Sequence, residues 1–512
     1  MIDSQTVIVP ELSAAVYLFF GPIDLPPQFS YFPCMNGQVV ESNFENFNKS
    51  VLAVYITFLI LALGTLAAYL VLREQYPIIL ALLAIPAAVL IITQPRWALY
   101  QYILCLFVMV AIDREIPIFL TDISALIVIA AAALDLLTSD RLPQQFPRLF
   151  FNFVFLLTAV SIAAVFGYDP VASLNPIARI TFLTVTFLSL YRLVAKASVE
   201  RLVGMFFWVC VLHSVIVVVP FIISGGEMRS FGFSGTAYDD LAMLTLPVGL
   251  ALFIWSKAER ATKYLLGSML IFSSLVATQS RASLAFAVFA LAAVLILSLG
   301  RYRQIAARQR PVEEALTGSE APHPVKKRVA MLCLSMVLLA AAVISLMPDV
   351  YGAVLSRFET ALTFTPSGTV RTRLELWRSA LMAFSHHPIL GVGPGSFRIF
   401  HQIFPSLHMQ PLHYYVRGLS AHSLFLHYLA EAGLLGAAAL VALFVNQFRI
   451  SRSTWRRQQP IDQTGCSLAL YVAGLMFLVT TLFEAGWIWG QFGFPFVFFA
   501  ALIVRYNQQV NR

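Results

Sequence analysis

Apolar runs of about twenty residues recur along this chain, and they limit what it can fold into. A run of that length crosses ~30 Å of hydrocarbon as a single helix. Clear examples lie at residues 51–72, 118–137, 202–224, 282–299 and 329–347. Hydrophobic residues make up 59% of the sequence and charged residues 12%, whereas soluble domains have ~45–50% and ~25%. The sequence therefore predicts an all-α polytopic membrane protein.

The apolar runs divide the chain into four segments. Residues 1–50 lack the features of a cleavable signal peptide, and we expect this N-terminal segment in the cytoplasm. A transmembrane region at 51–347 is followed by a large periplasmic loop at 348–421 and by C-terminal transmembrane helices at 422–512. About 12–14 membrane crossings are expected. Candidate spans begin near residues 51, 77, 97, 117, 148, 176, 202, 238, 263, 281, 328, 422, 464 and 486.

The basic residues predict the orientation of these spans. The net charge is +8, but its Lys and Arg residues are scattered through short connections, which favours a topology signal over nucleic-acid binding. The most basic connection, 300–328, is expected in the cytoplasm. Alternation then places further basic connections on the same side, at 141–148, 192–201, 257–263 and 449–457. The opposite side receives 113–115, 225–237, 279–281, 348–421 and the turn at Glu484.

The long outer loop contains an amphipathic segment. Leu374, Trp377, Leu381 and Phe384 share one helical face, and Pro388 follows them. This pattern predicts a helix at the outer membrane surface that ends near Pro388.

A run of alternating glycines follows this segment. Gly391, Gly393 and Gly395 have neither the preceding strand nor the βαβ unit of a nucleotide-binding turn, so we interpret them as a tight turn.

Three arginines are expected on the outer face beside apolar segments. Arg229, Arg281 and Arg373 each need an anionic partner near lipid. Each one alone is equally well explained by snorkelling or by pairing with an acid. Together they favour a diphosphate site, because the guanidinium offers a fixed fork of donors. The neighbouring acids are Asp239, Asp240 and Glu484.

His422 stands at the mouth of a span, with Ser423 beside it and His427 further along the same helix. A neutral imidazole can accept a proton from a hydroxyl near pH 7. A single histidine at a helix entrance is more often a capping or interfacial residue. Chemistry alone therefore leaves both interpretations of His422 open.

The stretch from 225 to 450 resembles the bacterial O-antigen ligase and polymerase superfamily of membrane glycan transferases. His422-Ser423 is followed after nine residues by Gly433-Leu-Leu-Gly436, which satisfies the ligase pattern His-[Asn/Ser/Gln]-x9-Gly-x-x-Gly. Two departures are Tyr238-Asp239-Asp240, where relatives often have Asn, and Ala282 in place of Gly. The other similar motifs are Arg229-Ser-Phe-Gly-Phe-Ser-Gly, Thr278-Gln-Ser-Arg281, Arg373-Leu-Glu-Leu-Trp377 and His387-Pro-Ile-Leu-Gly391-Val-Gly393-Pro-Gly395-Ser-Phe397.

The resemblance implies a lipid-donor (GT-C type) glycosyltransferase fold in the bacterial inner membrane, in contact with membrane lipids. It implies transfer of a glycan from undecaprenyl diphosphate to an acceptor sugar hydroxyl at the periplasmic face, without a metal or other cofactor. The acceptor would be a lipid A core in a ligase or a growing glycan in a polymerase. Arg229, Arg281 and Arg373 would bind the diphosphate, and His422 would orient or deprotonate the hydroxyl. The supporting residues would be Ser423, Glu484 and Asp239.

Two other functions remain open from the sequence. A transporter of lipid-linked glycans would leave every bond intact, and it usually carries ionisable residues at mid-membrane in matching halves. A non-catalytic membrane component of an exopolysaccharide assembly system would not depend on His422.

Overall fold

The computed structural model describes residues 91–108, 120–139, 146–225, 230, 232, 237–316, 324–346, 348, 352, 369–397, 420–457, 461–483 and 493–511. Within these ranges the chain forms helices and no strand. They are α1 (Pro95–Leu106), α2 (Leu120–Thr138), α3 (Arg148–Val165), α4 (Leu174–Val194), α5 (Val199–Ile223), α6 (Ala237–Trp255), α7 (Ala258–Ala277), α8 (Arg281–Leu316), α9 (Pro324–Leu346), α10 (Thr369–His386), α11 (Leu424–Arg456), α12 (Ile461–Thr480) and α13 (Gly493–Val510).

The predicted all-α polytopic membrane architecture is confirmed. Every described helix except α10 corresponds to a predicted span, while the candidate spans from 51 and 77 lie outside the described residues. Of the described helices, eight are long and apolar enough to cross a membrane, namely α2, α3, α4, α5, α6, α8, α11 and α12. The N-terminal segment 1–50 and most of the loop 348–421 also lie outside the described residues.

Helix α6 occupies the centre of the bundle. In its apolar stretch Tyr238–Trp255, 89% of the residues are buried. The helix packs against α5, α7, α8 and α12. In the most apolar 18-residue stretches of α3 and α8, only 39% and 33% of the residues are buried. Most of the apolar surface of these two helices therefore faces outward. Such surface is stable in hydrocarbon and costly in water.

One end of the bundle gathers the connections that loop charge predicts on the outer side. The backbone N–H of Ser230 donates to the Ala277 carbonyl at the end of α7 (3.4 Å). The N–H of Leu424 donates to the Thr481 carbonyl (2.9 Å). The turn at 166–173 joins this end through Tyr168, whose N–H donates to the Val392 carbonyl (3.0 Å).

Basic residues hold the opposite end together. Arg192 and Lys196 both pair with the buried carboxylate of Asp135. Three further arginines donate to backbone carbonyls at helix ends or in connections. Arg328 donates to Ile254 and Ser256, Arg301 to Arg457, and Arg505 to Tyr191. These contacts are compatible with the predicted grouping of connections, and the sidedness of both ends remains a prediction.

Helix α10 lies where the amphipathic helix was predicted, and it packs on α11 mainly through small side chains. Ala380 and Ala383 are fully buried in a cluster with Ala430 of α11, whereas Leu374 and Leu381 are 48% and 50% exposed. Small side chains allow α10 to approach α11 closely. Leu374 and Leu381 point outward, where a membrane interface would accept them.

Candidate functional site

His422 has a strained backbone at the entrance to α11. Its φ is 46°, a left-handed conformation that is uncommon for residues other than glycine. Gln279, two residues before Arg281, has a φ of 52°. Within the described part of the chain, these are the two non-glycine residues with positive φ. Such strain concentrates at functional sites. Its presence at His422 and close to Arg281 therefore supports the choice of these two residues as candidate site residues.

Ser423 begins α11 as its N-cap residue. Its hydroxyl accepts a hydrogen bond from the Leu426 N–H (3.4 Å), and the residue is buried. The preceding His422 is half-buried. The supporting role predicted for Ser423 is thus compatible with capping, which holds the end of the helix and the histidine before it.

Arg281 is the first residue of α8. The Ser280 hydroxyl accepts from the Ser283 N–H (3.4 Å) and contacts the Ser283 hydroxyl (2.8 Å), so Ser280 caps this helix. The cap places Arg281 at the positive end of the α8 dipole, where an anion is stabilised.

The turn 481–483 after α12 touches three of the helices that carry candidate residues. The Phe483 ring lies 5.8 Å from that of Phe286 on α8 and 6.4 Å from that of Trp377 on α10, between centroids. The carbonyl of Thr481 accepts from Leu424, the first residue of α11. The structure therefore brings the starts of α8 and α11 and the middle of α10 to one turn.

Arg281, Arg373 and His422 belong to these three elements. Arg373 is half-buried on α10, four residues before Trp377, and Arg281 starts α8 five residues before Phe286. Arg229 and Glu484 lie outside the described residues, so their predicted roles remain predictions.

Asp239 lies buried in the first turn of α6. The hydroxyl of its neighbour Tyr238 contacts the hydroxyls of Ser214 on α5 and Ser274 on α7, each at 2.6 Å. These bonds fix the start of α6 beside the connection that carries Arg229. The position is compatible with the supporting role predicted for Asp239.

The glycine run after α10 docks into a break in α11. We call residues 388–397 the glycine loop and residues 430–435 the α11 break. Gly391, Gly393 and Gly395 have φ of 71°, 100° and 79°, which confirms the predicted turn. Four backbone hydrogen bonds join the glycine loop to the α11 break. Two N–H groups of the loop donate to carbonyls of the break, Val392 to Ala430 (2.9 Å) and Gly393 to Glu431 (2.9 Å). Two N–H groups of the break donate to carbonyls of the loop, Leu434 to Pro388 (2.9 Å) and Leu435 to Ile389 (3.3 Å).

Residues 266–441 match the sequence model of the family described as O-Antigen ligase. We call this stretch, which is similar to that family, the O-antigen ligase segment. The match confirms the resemblance to the O-antigen ligase and polymerase superfamily. No curated protein matched the chain.

The O-antigen ligase segment runs from within α7 to within α11. It contains Arg281, Arg373, His422 and Ser423, whereas Arg229, Asp239 and Glu484 lie outside it. The three elements that meet at the turn 481–483 therefore all start inside this segment.

Glu431, which sequence reasoning missed, lies near the end of the O-antigen ligase segment. One carboxylate oxygen accepts from the backbone N–H of Phe397 (3.2 Å), and the other lies 3.1 Å from Nε2 of His427. A small cavity beside this pair is also lined by Arg179, which forms an ion pair with Asp122. Ionisable residues inside apolar runs could have indicated this group, since they are costly in a membrane.

Metal ligands were not expected on the outer face. Within the described residues, no three His, Cys, Asp or Glu side chains are grouped closely enough to hold a metal ion. Metal independence of the O-antigen ligase segment remains a prediction to be tested with a chelator.

Proposed function

We propose that this multi-pass membrane protein transfers a glycan from undecaprenyl diphosphate to an acceptor sugar hydroxyl, at the periplasmic face of the bacterial inner membrane. The observation that carries the proposal is that α8, α10 and α11 all contact the turn 481–483. All three helices begin within the O-antigen ligase segment. These elements carry Arg281, Arg373 and His422, which are the residue types the reaction requires.

The reaction makes one bond and breaks one. The acceptor hydroxyl oxygen forms a bond to the anomeric carbon of the donor glycan. The bond from that carbon to the diphosphate oxygen breaks, and the diphosphate leaves with the electron pair. The hydroxyl proton passes to His422, which acts as the general base.

Charge develops on the leaving diphosphate, and two kinds of group can stabilise it. Arg281, Arg373 and Arg229 would each offer a guanidinium fork. The start of α8 adds the positive end of a helix dipole, typically ~0.3–1 kcal/mol for a nearby anion. Groups fixed in this way stabilise the transition state without having to reorganise during the reaction.

The proposal is tested with purified protein in sealed liposomes that contain a lipid-linked glycan donor on the accessible side. We expect a new glycosidic linkage and one released lipid diphosphate for each glycan transferred. Movement of intact donor across the bilayer with no new linkage would instead establish a transporter. If folded protein forms no linkage with any hydroxyl acceptor and moves no donor, the function that remains is that of a non-catalytic membrane component of an assembly system.

The acceptor class is resolved by two parallel reactions, one with a lipid A core and one with a second lipid-linked repeat unit. Product from the first reaction identifies a ligase, and product from the second identifies a polymerase. In a strain that lacks the protein, the same alternatives give uncapped lipid A or lipid A with single repeats.

A further inference from the structure

We infer that Glu431 is a positioning residue, whose carboxylate holds the glycine loop against α11 and thereby fixes α10, with Arg373, beside the starts of α8 and α11. The inference deepens the proposed function and rests on it for the role of Arg373. It depends on contacts within the described residues and needs no group that the chain lacks.

Glu431 receives the glycine loop through both its backbone and its side chain. Its carbonyl accepts from the Gly393 N–H (2.9 Å), and its carboxylate accepts from the Phe397 N–H (3.2 Å). The other carboxylate oxygen faces Nε2 of His427 at 3.1 Å. Its side chain is only 9% exposed, so removal of the carboxylate would take away a hydrogen bond that is shielded from water.

Gly433 creates the space that the loop fills. Its φ of 61° and ψ of −159° interrupt α11, and a Cβ there would overlap the Ile389 carbonyl. On its far side the loop meets the turn after α3, where a Cβ on Gly393 would overlap the Cα of Gly167. The Tyr168 hydroxyl adds a contact to Nε2 of His387 at 2.8 Å. The loop is therefore enclosed on two sides, and Glu431 supplies the charged hydrogen-bond acceptor on one of them.

The docked loop and α10 share one apolar core. Ala380 and Ala383 of α10 cluster with Val392 and Phe397 of the loop and with Ala430 of α11, and all are buried. A loop released from Glu431 would move Phe397 out of this core. Helix α10 would then lose packing on α11, and Arg373 would lose its position relative to Phe483 and the start of α8.

The displacement of α10 can be measured without any substrate. In a protein whose five cysteines have been replaced, Ala383→Cys reports on the buried face of α10, and Leu381→Cys on its exposed face. A membrane-impermeant maleimide should label Leu381→Cys quickly and Ala383→Cys slowly. Each reporter is then combined with Glu431→Ala, Glu431→Gln or Leu434→Ala. The last is the matched control, because the Leu434 side chain is 62% exposed and its backbone N–H still bonds Pro388.

We expect Glu431→Ala to speed the labelling of Ala383→Cys and to raise the donor KM by about 10- to 100-fold, the usual effect of losing a buried hydrogen bond to a charged group. Glu431→Gln keeps an oxygen that can accept from Phe397, so it should retain slow labelling and most of the transfer. Leu434→Ala should resemble the parent protein in both measurements. If Glu431→Ala does not accumulate in membranes, Glu431→Asp should give intermediate labelling.

Three results would overturn the inference. Slow labelling of Ala383→Cys in Glu431→Ala would show that the carboxylate does not hold the loop. Fast labelling with unchanged donor KM would show that the position of α10 does not matter. Loss of transfer in Glu431→Gln with slow labelling would show that Glu431 acts through its charge. If the parent protein itself transfers nothing, the proposed function fails, while the labelling still reports on the loop.

Discussion

His422 and Gln279 hold left-handed conformations that cost residues other than glycine ~1–3 kcal/mol each. The surrounding contacts impose the conformation of His422, since Ser423 caps α11 and Leu424 is bonded to Thr481. A side chain held in this way has few alternative positions, which suits a group that must meet a hydroxyl in one geometry.

His422→Gln should separate donor binding from transfer. Glutamine keeps a polar side chain but cannot take up the acceptor proton, so the transfer rate should fall ~10²–10⁴-fold while donor binding persists. Binding of the lipid-linked donor and formation of product are measured separately in membranes. His386→Gln, an exposed change at the end of α10, is the control and should leave both unchanged. A near-parental transfer rate in His422→Gln would falsify the role of general base.

Arg281→Lys should weaken donor binding without abolishing transfer. Lysine keeps the charge at the start of α8 but loses the fork of donors, so its activity should lie between that of the parent and that of Arg281→Ala. The alanine change should reduce the rate by ~10²–10³-fold. Arg378→Lys on the exposed side of α10 is the matched control. Normal donor affinity in Arg281→Ala would contradict the diphosphate role.

Sequence reasoning predicted residues whose function follows from their own side-chain chemistry. Arg281, Arg373 and His422 could be proposed because charge, imidazole chemistry and motif spacing are visible in the sequence. Glu431 was missed because its hydrogen-bond donor is the backbone of Phe397, 34 residues away, and any residue type supplies a backbone N–H. Such partners become apparent only when the fold brings the two segments together.

Among the elements, helix positions were predicted better than helix packing. Apolar runs give the positions directly, because a span must be long and apolar whatever its neighbours are. The packing of α10 on α11 was not predicted, because the amphipathic pattern indicated only a helix at the membrane surface, and Leu374 and Leu381 lie on its exposed side. The buried face consists mainly of small residues. How much these residues stabilise the packing depends on how closely α11 approaches.

Gly433→Ala should destabilise the protein by ~1–3 kcal/mol or more. Its φ and ψ lie in a region open essentially only to glycine, and a Cβ would overlap Ile389. Thermal unfolding in detergent measures the change. Gly300→Ala is the control, since Gly300 is helical with no atom within 4 Å of an added Cβ, and it should be neutral or stabilising by up to ~1 kcal/mol. Equal unfolding temperatures for the two variants would show that the α11 break is dispensable.

At the scale of the whole described bundle, one end is basic and the other carries the candidate site. Reporter fusions at Ala315 and at Ser406, which lies outside the described residues, should therefore report opposite sides of the membrane. The positive-inside rule predicts the fusion at Ala315 in the cytoplasm. The orientation is wrong if both fusions report the same side.

Transfer should continue in the presence of EDTA. Arginine side chains and a helix dipole can stabilise the leaving diphosphate without a divalent ion. The measurement is the transfer rate of purified protein before and after chelation, with a known metal-dependent glycosyltransferase as a positive control. Complete loss that a single divalent ion restores would contradict both the prediction and the all-arginine account of the leaving group.

The break in α11 also bears on the depth of His422 in the membrane. Residues 434–448, which precede the basic connection 449–457, extend about 22 Å at ~1.5 Å per residue, which is less than the ~30 Å of the bilayer core. The nine residues between Ser423 and Gly433 add about 13 Å of helix beyond that length. The two parts together are long enough to cross that core, so we expect His422 at its outer boundary. The nine residues of the motif would then supply the part of the crossing that residues 434–448 are too short to make.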